Sequence, residues 1–176
     1  ATALWGATFV ITRDALPGLS VMALMLARFG SAALVFGVLT VALRRPINRA
    51  TLIGGVACAP FIAACYGLQA LGLRETSAGS SAFLTCAGTL TAPFFAWLLW
   101  RERPSRAVLA GLALALAGSA LLSWRLGGGI GAADAWTLLG AVAYAFQIGI
   151  VARVAPRVDP IALTGVQSLA TTLCFL

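Results

Sequence analysis

The chain has 176 residues, of which 61% are hydrophobic and only 10% charged; its mean hydropathy is +0.98 and its formal charge +7. A soluble domain carries nearer a quarter charged residues, so a soluble globular fold is excluded, and twelve basic residues scattered between apolar runs exclude a nucleic-acid-binding face. All twelve are Arg: without His there is no His-ligated metal or His acid–base catalyst, and without Lys no Schiff base.

Taken in order, the apolar runs predict seven helices. The first spans about Thr2 to Leu16, with Arg13-Asp14 near its end and Pro17-Gly18 as a turn. The second runs from Ser20 to Leu43 and is interrupted by Arg28; a basic loop, Arg44 to Arg49, follows. The third, Ala50 to Leu73, contains Pro60 and ends at Arg74-Glu75. The fourth, Ser77 to Trp100, lies in a stretch of 25 uncharged residues from Thr76, long enough as a helix to rise roughly 37 Å and cross a hydrocarbon core of about 30 Å. Its hydroxyl residues Ser77, Ser81, Thr85 and Thr89 recur every fourth position and share one face. A second basic loop, Arg101 to Arg106, leads to the fifth helix, Ala107 to Trp124. Leu112 to Ala117 alternates like a strand, but Ala and Leu are strong helix formers and a lone strand leaves its backbone unsatisfied in lipid. A Gly-rich connection, Gly127 to Gly131, precedes the sixth helix at about Ala133–Ala152; the seventh starts near Pro160. Cys58, Cys65, Cys86 and Cys174 lie singly in these runs and read as small hydrophobes. The expected fold is an all-α, polytopic membrane helix bundle.

Arginine counting orients it. Arg44, Arg45, Arg49, Arg101, Arg103, Arg106, Arg153 and Arg157 follow the even helices, against Arg13, Arg74 and Arg125 after the odd ones. The even loops, and with them the N-terminus, are expected on the cytoplasmic side of a multi-pass protein in the cell (inner) membrane. The chain also echoes itself at an offset of about 139: Trp5-Gly6-Ala7 falls on Tyr144-Ala145-Phe146, and Arg28 on Gln167. A five-helix unit repeated in this way enters the membrane from the opposite side the second time, an inverted repeat with its binding site at the repeat interface.

Arg28 stands out among the polar residues of the runs. A central Arg costs roughly 2.5–3.5 kcal/mol on insertion scales, so it must face the bundle. It either binds an anionic group such as a substrate carboxylate, or is structural, snorkelling to the outer interface or pairing with Glu75. Tyr66 and Gln69 share a face of the third helix; Gln147 and Gln167 are uncharged polar groups in the sixth and seventh. Each is a substrate-binding candidate or a hydrogen-bonding tie between helices. Trp5 and Thr8 share a face of the first helix and line a cavity or anchor at the interface. Ser81 and Thr85 belong to the hydroxyl stripe, which close packing explains as well as a substrate path does.

These residues resemble the EamA-like family of the drug/metabolite transporter superfamily over nearly the whole chain. The resemblance rests on Trp5-Gly6-Ala7-Thr8-Phe9, Ala27-Arg28-Phe29, Thr76-Ser77-Ala78-Gly79 with Ala82-Phe83-Leu84, Glu102-Arg103, and Gly111 to Gly118. Arg101 sits where such proteins more often have Gly, and Pro104 where they often have Leu. The resemblance implies ten helices as two inverted five-helix halves: residues 1–124 the first repeat, 125–176 the start of the second, with further helices of the same chain after Leu176. It implies a secondary transporter exporting or exchanging small metabolites, amino-acid-like or other small organic solutes. Its partners would be the solute, the lipid bilayer and possible homodimer copies, with no nucleic acid, cofactor, metal or catalytic residue. The competing reading is a seven-helix sensor or receptor. An intramembrane enzyme would need a nucleophile with its base, or paired carboxylates, which five acids without His do not supply.

Overall fold

The computed structural model describes residues 2–90, 93–94, 97, 101, 104–125 and 132–176. Among these residues every regular element is helical: α1 (Thr2–Ala15), α2 (Val21–Ala42), α3 (Arg49–Leu73), α4 (Ala78–Leu90), α5 (Arg106–Arg125), α6 (Ala132–Val154), a 3₁₀ turn (Ala155–Arg157) and α7 (Pro160–Leu173). The chain is an all-helical membrane bundle. The alternating run 112–117 lies inside α5, and α3 continues through Pro60. Among the described residues three helical stretches are long and apolar enough to cross a membrane: α2, α3 and Asp134–Arg157. The other expected spans are shorter over the described residues, 14 residues in α1, 13 in α4, 20 in α5 and 14 in α7. The second half of the fourth expected helix, including most of 91–100, lies outside them.

Local chemistry sets the helix ends. Ser20, Asn48 and Asp159 begin α2, α3 and α7 by accepting backbone N–H groups of the first turn, from Ala23, Thr51, and both Ile161 and Ala162. Pro160 occupies the first position of α7, where its missing N–H costs nothing. α2 ends with the Arg44 N–H bonded to the Val41 carbonyl and the Arg45 N–H to the Thr40 carbonyl, a Schellman closure. Arg44 takes φ 50° there and Arg101 φ 57°, the left-handed region that favours glycine. The second of these gives a physical reason why Gly suits position 101.

Packing fixes the helix directions. α3 lies most extensively against α6. Gly54 meets Val154, Phe61 stacks on Phe146 with centroids 5.6 Å apart, and Gly140 meets the Cys65 carbonyl, so the two run antiparallel. α2 and α7 are also antiparallel, with Gly30 against Thr172, Gly165 against Phe36, and Arg45 bonded to Asp159. α7 runs parallel to α3, from Gly55 against Val166 to Gly67 against Phe175. α7 thus fills the angle between α2 and α3, which touch each other little. α1 is parallel to α3, since Arg13 and Leu16 at its end share a cavity with Leu73 and Arg74 at the end of α3. α1 and α6 therefore run in opposite directions, as do α2 and α7. The core between them gathers Phe9, Met25, Phe29, Cys58, Ile62, Leu73 and Phe175. Close approach through Gly and small hydroxyl residues is how helices associate in lipid, where apolar burial alone gives little drive.

Candidate functional site

Three sequence candidates come together where α1, α2 and α3 meet. The Arg28 guanidinium lies over the Tyr66 ring, 4.4 Å from its centroid. Phe29 meets the same ring edge-on at 5.4 Å, and the Trp5 indole approaches the Tyr66 hydroxyl. Trp5 is itself fixed by an edge contact with Phe9 at 5.6 Å. Arg28 also lines a cavity of about 340 Å³ with Thr8, Ile11, Thr12, Leu24 and Ala27, so Thr8 joins the group. Its hydroxyl donates to the Trp5 carbonyl at 2.6 Å.

Of the two structural expectations for Arg28, pairing with Glu75 is not seen: among the described residues the ion pair is Arg45–Asp159, at the far end of α2. Arg28 instead lies over the face of the Tyr66 ring, whose π electrons support a cation. The four described acids, Asp14, Glu75, Asp134 and Asp159, sit at helix ends or in loops, because a carboxylate in mid-helix would carry an insertion cost like that of Arg28 without a ring to rest on.

A second polar group ties α3, α4 and α6. Gln69 donates to the Thr85 hydroxyl at 2.9 Å, Thr85 donates to the Ser81 carbonyl at 2.8 Å, and the Ser81 hydroxyl lies 3.5 Å from that of Thr137. All four are buried. Gln69, Ser81 and Thr85 therefore form part of a hydrogen-bonded link among α3, α4 and α6, while Ser77 of the stripe is exposed and the Thr89 side chain lies outside the described residues. Beside this group, Asp134 is 6% exposed and accepts from Thr76 at 2.8 Å and Ser80 at 3.3 Å. Sequence reasoning missed both Asp134 and Thr137. The signal available was an acid in the first turn of a helix, favourable at the positive end of its dipole. Asp134→Ala should leave the two hydroxyls short of an acceptor and destabilise the protein by about 1–3 kcal/mol, whereas Asp134→Asn should recover most of the loss; thermal unfolding in detergent reads both.

The remaining candidates separate. Gln147 is 9% exposed and shares a face of α6 with Tyr144, which lies within electrostatic range of Tyr66. No hydrogen bond engages its side-chain amide among the described residues. Gln167 sits where α7 crosses Gly55, about 16 Å along α3 from Tyr66 at 1.5 Å per residue, so the structure does not bring it to Arg28.

Comparison with known proteins agrees with a transport protein. Residues 1–124 match a family described as the EamA-like transporter family. The chain is 29% identical over 167 residues to an uncharacterized transporter of Archaeoglobus fulgidus, covering 95% of this chain and 51% of that protein. It thus spans about half the length of the curated relative it matches. No solved structure matches it significantly.

Proposed function

The chain belongs to the EamA-like transporter family, and from that premise we propose that it acts as a secondary transporter, exporting or exchanging small organic metabolites that carry a carboxylate. The observation behind the substrate class is Arg28. Its positive charge is held among α1, α2 and α3 on the Tyr66 ring, beside a cavity, and among the described residues no carboxylate pairs with it. A charge kept at that cost on a membrane helix reads as a ligand partner. Trp5, Thr8 and Tyr66 surround it, and Gln147 offers an uncommitted amide nearer the α6 side. The opposed directions of α1 and α6, and of α2 and α7, support an inverted repeat with its substrate site between the two units.

The orientation we propose places the N-terminus in the cytoplasm. Its support is that Arg44, Arg45, Arg49, Arg153 and Arg157 gather at one end of the bundle and Arg13 and Arg74 at the other. Counterflow into liposomes by the whole protein tests the function. A preloaded monocarboxylate should drive uptake of its labelled form, and sugars and nucleosides should not. Folded protein that exchanges no member of an amino-acid, carboxylate, sugar and nucleotide panel would overturn the reading.

A further inference from the structure

We propose that Arg13 and Arg74 form a second anion-binding site, at the end of the bundle where α1 and α3 terminate. Arg13, in the last turn of α1, and Arg74, which caps α3, line one cavity of about 440 Å³, completed by Leu16, Pro17 and Leu73. Leu16 and Leu73 belong to the buried core, Leu73 at 1% exposure, so the cavity has an apolar floor beneath a cationic rim. Each arginine is followed in sequence by an acid, Asp14 and Glu75. Among the described residues neither acid forms an ion pair with either arginine. A positive charge near each helix C-terminus is favourable by itself. That preference does not account for two such charges converging on one concavity, where they repel until an anion stands between them.

The ligand chemistry follows from the lining. Guanidinium groups take carboxylate or phosphate oxygens in bidentate fashion, and the leucines and proline take a hydrocarbon or ring, so the site suits an amphiphile with one anionic group. The anion comes either from a carboxylate solute or from the phosphate of an anionic lipid at the membrane surface. In the first case, which rests on the transporter reading, the site holds the solute between Arg28 and the outer surface, on entry during exchange or on the way out during export. Thr12, which lines the Arg28 cavity, is the residue next to Arg13, and successive positive charges would draw an anion inward.

The test uses the intact protein in nanodiscs, with Arg28→Gln as background so that only the outer site reports. Benzoate binding in phosphatidylcholine discs reads the solute arm, and retention of phosphatidylglycerol in native mass spectrometry reads the lipid arm. Arg13→Gln with Arg74→Gln should weaken one or both by about ten-fold, and Arg13→Lys with Arg74→Lys should keep most of the binding. Raising salt should weaken benzoate further, as screening of an exposed site requires. If the double variant fails to fold, each single Gln variant should show about a three-fold loss. Unchanged benzoate binding together with unchanged lipid retention in the Gln variants overturns the proposal. Failed exchange in liposomes with this binding intact would sink the transporter reading and leave the site standing.

Discussion

Gly140→Ala is expected to destabilise the bundle by about 1–3 kcal/mol, the usual cost of overpacking a close contact, and to lower its thermal midpoint by several degrees. A Cβ at position 140 would lie 2.7 Å from the Cys65 carbonyl oxygen and 3.4 Å from the Leu68 Cβ. The carbonyl is part of the α3 backbone, so relief requires α3 and α6 to part, and theirs is the most extensive packing in the molecule. Gly37→Ala is the matched control. Nothing lies within 4 Å of a Cβ there, and Ala is the better helix former by about 1 kcal/mol, so that variant should be neutral or more stable. Thermal unfolding of the two in one detergent decides the matter: equal midpoints would mean that α3 and α6 do not approach as closely as described.

Arg28→Leu should have opposite effects on transport and stability. Removing a charge from mid-helix relieves an insertion cost of roughly 2.5–3.5 kcal/mol, while the lost contact with the Tyr66 ring is worth about 0.5–2 kcal/mol. Stability should therefore hold or rise. Exchange of a carboxylate substrate should fall by about ten- to a hundred-fold, the equivalent of one charge-assisted hydrogen bond or slightly more. Arg28→Lys should recover only part, since an ammonium lacks the planar fork that meets a carboxylate. A destabilised Arg28→Leu protein that still exchanges carboxylates at the normal rate would make Arg28 a structural residue.

Much of this arrangement could be read from local pattern, because helix ends and charge placement are local matters. The helix starts expected at Ser20, Ala50 and Pro160 fall within a residue or two of those observed. The cost of a buried guanidinium is enough to predict that Arg28 turns inward, but not that it rests on Tyr66 rather than on a carboxylate. Pairing was not legible, since it depends on which helices cross. Gln69 and Gln167 are both amides in apolar runs, yet one bonds Thr85 and the other lies at the Gly55 crossing. Gly37 and Gly140 are likewise equivalent in sequence, and only the helix crossings tell an open position from a crowded one. Asp134 escaped notice because a carboxylate at a helix start usually faces water, and the Thr76 and Ser80 hydroxyls that enclose it come from another part of the chain.

The seating of α7 has a consequence for biogenesis. The pair α2 and α3 leaves the ribosome with little to hold its members to each other, because the wedge that joins them begins at Pro160. Roughly 90 further residues must be made first, a wait of about 5–20 s at ordinary elongation rates. During that interval the glycine notches at Gly30 and Gly55 face acyl chains or the insertion machinery, and a nascent chain arrested before residue 160 should be open to quality-control proteases in a way the finished bundle is not.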